Sequence, residues 1–151
     1  MNKRGLAAGV ENEMQISFPS LSVNEGIARS ATAAFTAQFN PTIDELADVK
    51  CAVSEAVTNC IVHAYRDRIG VIRLNFRICA NRVLRIEIKD QGCGIPDVEA
   101  ARVPLYTTDP QGERSGMGFA VMESFTDRMR VKSVVGKGTT VVLYKKMSGR
   151  E

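Results

Sequence analysis

The sequence predicts an α+β fold, a two-layer sandwich with helices on one face of a mixed, mostly antiparallel sheet. Three observations predict it. Two long stretches with helical spacing lie in the first half of the chain, over 22–39 and 42–64. Two alternating stretches follow over 72–78 and 84–88, close enough in sequence to form a hairpin. Two more, over 131–135 and 139–145, flank the turn Gly136-Lys137-Gly138. With 151 residues, 44% hydrophobic and 25% charged, the chain suits one domain with one core.

Residues 1–12 lack periodicity and predict a flexible tail, 13–147 a single domain, and 148–151 a second tail. Met14, Ile16 and Phe18 alternate with Gln15 and Ser17, a strand that Pro19 ends. Ser22 followed by Glu25 predicts a capping box. Val23, Ile27, Ala31, Ala34, Phe35 and Phe39 then mark the buried stripe of a first helix, broken by Asn40-Pro41. Thr42 and Glu45 predict a second capping box. The stripe of the long helix behind it runs from Ile43 and Leu46 through Val49, Val53, Val57, Cys60 and Ile61 to Ala64. Ile72, Leu74, Phe76 and Ile78 pair with Leu84, Ile86 and Ile88 across Ala80-Asn81. Gln91 to Gly118 is rich in Gly, Pro, Asp and Thr, with a short helix near Asp97–Arg102. A loop of that length is functional or disordered. A helix from about Met117 to Phe125 and strands Val131–Val135 and Thr139–Lys145 complete the chain.

Bulk properties exclude several functions. Lys+Arg 20 against Asp+Glu 17 gives a net charge of +3, scattered along the chain without a block. No motif reads DNA or RNA, so direct nucleic-acid binding is not expected. Cys51, Cys60, Cys79 and Cys93 form no C-x-x-C pair, which predicts free thiols rather than zinc. Leu6–Val10 is too short for a secretory signal and runs straight into Glu11 and Glu13. No apolar run approaches the roughly 18 residues of a membrane span. A cytoplasmic, membrane-free protein is expected.

The chemistry concentrates in three places. Glu55, Asn59 and His63 share one face of the long helix, beside the apolar stripe. A carboxylate at a core edge needs a partner or a metal, and Asn59 offers a neutral oxygen suited to Mg²⁺. A solvated polar face would carry the same pattern. Asp90-Gln91-Gly92-Cys93-Gly94 follows a strand directly. Its glycines let a backbone approach a ligand and its carboxylate can accept from an amino group, although a strand-ending turn would look alike. Gly116-Met117-Gly118 precedes a helix, where backbone N–H groups suit a phosphate; the pair alone is a weak signal. There is no G-x-x-x-x-G-K-[ST] and no H-R-D or D-F-G set. Gly136-Lys137-Gly138-Thr139 is better explained as a hairpin turn than as a phosphate loop.

In their order and spacing these motifs resemble the GHKL ATPase superfamily, over about residues 50–145. Glu55-x-x-x-Asn59 resembles its N box, Asp90-x-Gly92-x-Gly94 its G1 box, Gly116-x-Gly118 its G2 box, and Gly138-Thr139-Thr140 its final strand motif. Three stretches, VSEAVTN, PLYTTDPQGERSGMGF and the helix around Asn24–Arg29, are similar to the anti-sigma F factors of spore-forming bacteria. That similarity runs from about Glu13 onward and departs in the first dozen residues, the Arg66–Ile69 turn and Cys93.

The resemblance implies ATP bound between the long helix and the sheet, under a lid at about Pro104–Ser115. It implies Glu55 as the base for phosphoryl transfer and Asn59 as the Mg²⁺ ligand. Asp90 would read the adenine amino group, and Thr139 would support it through water. Gly92, Gly94, Gly116 and Gly118 would shape the pocket. Arg114 would supply charge to the phosphates, with Thr107, Ser115 and Met117 as further nucleotide contacts. The narrower resemblance implies a homodimer that captures sigma F. It also implies phosphorylation of a serine on the anti-anti-sigma partner, both partners docking near Arg29, in control of sporulation transcription. Two rivals stand beside this. One is the ATPase domain of a sensor histidine kinase, against which the sequence shows no dimerisation helix pair, membrane span or phosphoacceptor. His63, the only histidine, ends the N-box helix. The other is a module that binds nucleotide without transfer, against which Glu55 is intact.

Overall fold

The computed structural model describes residues 5–103 and 118–148. Five strands form one sheet: β1 (Val10–Pro19), β2 (Val71–Cys79), β3 (Val83–Asp90), β4 (Arg128–Val134) and β5 (Gly138–Lys146). Their spatial order is β1-β2-β3-β5-β4, and every neighbouring pair is antiparallel. The sheet expected to be mixed therefore has no parallel pair among the described residues. Four helices join it: α1 (Asn24–Thr36), α2 (Ile43–Asn59), α3 (Val98–Ala101) and α4 (Gly118–Ser124).

Alternation along the central strands decides which face is covered. Ile72, Leu74, Phe76 and Ile78 on β2 are buried, as are Leu84, Ile86 and Ile88 on β3. They stand opposite one another in register, Leu74 to Ile88, Phe76 to Ile86 and Ile78 to Leu84. Val141 and Leu143 of β5 continue the same rows. A one-residue slip would turn Arg73, Arg77 and Arg85 into the core, so the pattern fixes the register. Phe35, Val49, Val53 and Val57 from α1 and α2 complete the cluster.

Helix α2 forms as its sequence predicts. Thr42 Oγ1 accepts from Glu45 N at 3.1 Å, and Glu45 Oε1 accepts from Thr42 N at 3.0 Å, closing the capping box. Val49, Ala52, Val53, Ala56 and Val57 are buried. Ile43, assigned to the buried stripe, is exposed in the first turn. Past Asn59 the helix widens into a π-helical turn, Cys60–Ala64, in which Tyr65 N donates to Cys60 O at 3.0 Å.

Three expectations for the first third of the chain need correction. Strand β1 starts at Val10, inside the stretch for which the sequence predicts a tail. The polar run Glu11-Asn12-Glu13 and a bulge between Val10 and Asn12 hide the alternation. Helix α1 has Val23 at its N-cap and no side-chain cap, so the Ser22–Glu25 box does not form. Glu25 instead accepts from Ser54 Oγ on α2 and pairs with Arg29 at 3.5 Å. The buried face of α1 is Asn24, Ala28, Thr32, Phe35 and Thr36. Val23 and Ile27, expected in the stripe, are 73% and 56% exposed, and Ala34 is exposed too. Small residues seat this helix: Ala28 is fully buried where α1 meets α2, and Thr32 Oγ1 donates to Ala28 O at 2.8 Å.

Candidate functional site

A cavity of about 760 Å³ opens between the C-terminal end of α2, the loop after β3, the start of α4 and β5. Its wall brings together Asn59, Asp90, Gly92, Gly94, Gly118 and Thr139, which are separated by up to 80 positions in sequence. Ile88, Val141 and Phe119 supply apolar surface.

Asp90 ends β3 and is buried. Its Oδ1 accepts from Gly92 N at 2.9 Å and from Thr139 N at 3.2 Å, while Oδ2 meets only the Cys60 thiol, which donates at 3.5 Å. Burial pushes the carboxyl above its ordinary range, and the bonds from Gly92, Cys60 and Thr139 pull it part of the way back. The Cys60 thiol is raised well above its usual value, first by burial and then by the charge and hydrogen bond of Asp90. One oxygen is thus fixed by the protein, and the other keeps acceptor capacity.

The glycines around Asp90 are dictated by contact. A Cβ on Gly92 would collide with the Ala64 carbonyl, and one on Gly94, at φ +76°, with the Val134 carbonyl. Two hydrogen bonds lace this loop to the π-helical turn and the last hairpin: Cys93 N to Ala64 O at 3.1 Å and Gly136 N to Cys93 O at 2.8 Å. Across the cavity, a Cβ on Gly118 would stand 3.0 Å from Asn59 Oδ1, so the amide of Asn59 faces the start of α4.

Sequence reasoning did not find three supports of this wall. Tyr65 accepts from Gln91 N at 2.6 Å and donates to Val71 O at 2.7 Å, fixing the residue after Asp90; burial raises its hydroxyl above the usual range. Ser133 Oγ lies 2.8 Å from Thr139 Oγ1 and accepts from Ile95 N at 2.7 Å. Cys60 carried only the signal of a buried stripe. His63 and the turn Arg66-Asp67-Arg68 also line the cavity, with Arg68 donating to Gln91 O at 2.7 Å.

Glu55 lies one turn before Asn59, half-buried, and is not among the described residues that line the cavity. Arg29 is exposed on α1. Thr107, Arg114, Ser115, Gly116, Met117 and the expected lid lie outside the described residues. Among the described residues no group of three His, Cys, Asp or Glu could hold a metal ion alone. No helix among them is long and apolar enough to cross a membrane.

The histidine kinase-like ATPase domain model matches residues 18–145. The anti-sigma F factor of Caldanaerobacter subterraneus subsp. tengcongensis is 53% identical over 134 residues, covering 89% of this chain and 93% of that protein. The anti-sigma F factor of Geobacillus kaustophilus is 50% identical over 137 residues, covering 90% and 93%. Among solved structures, the RsbU and RsbW domains of Rv1364c from Mycobacterium tuberculosis align with a TM-score of 0.67 at 18% identity, over 90% of this chain and 32% of that one. The histidine kinase domain of the Erythrobacter litoralis EL346 blue-light activated kinase aligns with a TM-score of 0.56 at 21% identity, over 95% and 66%. At such identities these structures speak for the fold. The family model and the relatives speak for descent: the chain belongs to the histidine kinase-like ATPase family and to the anti-sigma F factors.

Proposed function

We propose that this chain is an anti-sigma factor and an ATP-dependent serine-protein kinase. It holds sigma F inactive as a cytoplasmic homodimer, and it phosphorylates a serine of an anti-anti-sigma partner to control sporulation transcription. One observation carries the nucleotide part: a buried carboxylate, Asp90, is fixed through one oxygen and keeps acceptor capacity on the other, in the wall of a cavity large enough for a nucleotide. The name shared by the relatives, anti-sigma F factor, supports the sigma-factor partner.

ATP supplies the transferable phosphoryl group when bound. Asp90 accepts from the adenine amino group, a donor that guanine lacks at that position, and the neighbouring Thr139 supports it. Gly92 and Gly94, where a Cβ would meet the Ala64 and Val134 carbonyls, would let the chain pack closely beside the bound base. Asn59 faces the start of α4 and offers its side-chain oxygen to Mg²⁺. An Mg²⁺ carried on phosphates needs only one or two protein oxygens, so the lack of a larger ligand cluster among the described residues suits this role. Glu55 takes the proton of the partner's serine hydroxyl. Thr107, Arg114, Ser115, Gly116, Met117 and Gly118 are assigned to the nucleotide by resemblance. Arg29 and the exposed apolar residues of α1 form the partner surface.

Radiolabelled ATP incubated with the protein and candidate anti-anti-sigma proteins tests the kinase reading. Glu55→Gln should lower transfer by roughly 10²–10⁴-fold with nucleotide affinity kept. A wild-type rate would remove Glu55 from the role of base. The position of Glu55 beyond the described cavity lining favours a second reading, in which nucleotide is held without transfer. Absence of label on every partner, with sigma capture intact, would select it.

A further inference from the structure

The face of the sheet turned away from the helices carries a charge that the core does not use. Residues opposed across strands share a face, so the register assigns its membership. One row runs Ser17, Arg73, Lys89, Thr140 and Lys132. The next runs Gln15, Asn75, Glu87, Val142 and Arg130, and the third Glu13, Arg77, Arg85, Tyr144 and Arg128. Seven basic side chains thus stand beside two acids, Glu13 and Glu87. Both acids are already engaged, Glu13 with Arg77 at 3.2 Å and Glu87 with Arg85 at 3.2 Å. Arg73, Lys89, Arg128, Arg130 and Lys132 make no ion pair among the described residues.

Two features make this more than a solvated surface. Arg73 and Lys89 are directly opposed, an arrangement of like charges that weakens a sheet. Beside Lys89 the face dips into a shallow recess of about 330 Å³, lined by Lys89, Lys132, Lys137 and Thr140, with Asp90 at its base already holding Gly92 N and Thr139 N. It therefore offers three ammonium groups and the Thr140 hydroxyl. The opposite layer is charged the other way: α1 and α2 carry Glu25, Asp44, Glu45, Asp48 and Glu55 against Arg29 and Lys50. The small net charge of +3 hides this polarity.

We propose that the open face of the sheet is a docking surface for a carboxylate-rich segment of another protein, seated with an acidic side chain among Lys89, Lys132 and Lys137. Charge complementarity names the partner's chemistry. Nucleic acid fits less well, because the aromatic ring on the face, Tyr144, is covered by Arg128 and Arg85 at 5.7 Å and 6.0 Å and offers no stacking platform.

The test uses the full chain, a labelled polyglutamate peptide and a single-stranded DNA of equal formal charge, compared by fluorescence anisotropy at near-physiological salt. The peptide should bind, and Lys89→Glu with Lys132→Glu should weaken it by about tenfold or more, with binding falling further as salt rises. The double variant should melt no lower than wild type, because Arg73 gains an opposed carboxylate. The neutral pair Lys89→Gln and Lys132→Gln should give an intermediate loss. Equal peptide binding by all forms, or tighter binding of the DNA, would overturn the proposal. So would sedimentation showing that wild type self-associates through this face and the double variant does not, since the occupant would then be a second copy.

Discussion

Apart from Ile43 in its first turn, helix α2 buries most of the stripe its periodicity marks, whereas α1 buries Phe35 but leaves Ile27, and Val23 at its N-cap, in water. In α2 the cap, the stripe and the core agree: Thr42 and Glu45 close the box, and Val49, Val53 and Val57 face the sheet. In α1 the cap is missing, and the buried face is built from Asn24, Ala28, Thr32 and Thr36 with one large apolar residue, Phe35. Cap and packing together dictate α2. Helix α1 is seated by small side chains and by Glu25 reaching across to Ser54, which leaves Val23 and Ile27 to some other use. Under the proposed function that use is partner capture beside Arg29.

Four effects, read from six substitutions, sharpen or break this contrast. Val53→Ala, at a fully buried position, should cost about 2 kcal/mol in denaturant unfolding, while Ile27→Ala should stay within about 0.5 kcal/mol. Comparable losses at both sites would erase the distinction between the helices. Arg29→Ala should weaken capture of sigma F and of the anti-anti-sigma partner by about 1–2 kcal/mol in surface plasmon resonance, with an unchanged melting curve. Wild-type affinity for both would return Arg29 to an ordinary surface charge. Thr42→Ala should cost about 1 kcal/mol, and Ser22→Ala nothing measurable, because only the first residue caps a helix.

The fourth and smallest effect concerns Asp90. Its folded pKa is raised by burial, so the folded state binds its proton more tightly than the unfolded chain does. The stability this gives is full below the unfolded pKa and is lost as pH rises through the folded one. At neutral pH the buried charge therefore weighs on the fold. Asp90→Asn keeps an acceptor for Gly92 N and Thr139 N and should melt slightly above wild type at pH 7. The gap should close as pH falls through the carboxyl titration. A gap independent of pH would mean that burial is not what raises this group.

Much of this was legible in the sequence, and the failures have causes. The β2–β3 hairpin was readable because every second residue is apolar and the intervening ones are charged or amide. Asp90, Gly92 and Gly94 were readable because a carboxylate at a strand end followed by spaced glycines is a local pattern. The support from Tyr65 was not, since its bonds to Gln91 N and Val71 O depend on how the π-helical turn ends. Ser133 was hidden because a serine in a strand has no signature until Thr139 stands beside it. The basic face of the sheet escaped a reading by charge blocks, because its arginines and lysines come from β2, β3 and β4 and meet only through register.

The proposed ATP site depends on Asp90 as its adenine-reading group, and calorimetry on one variant tests that most directly. ATP and GTP are titrated into wild type and into Asp90→Ala with Mg²⁺ present. Wild type should prefer ATP. The variant should lose about 1–3 kcal/mol of ATP binding and with it the preference over GTP, because the lost acceptor is a charged one in a buried wall. Unchanged ATP affinity together with an unchanged preference over GTP would contradict the account.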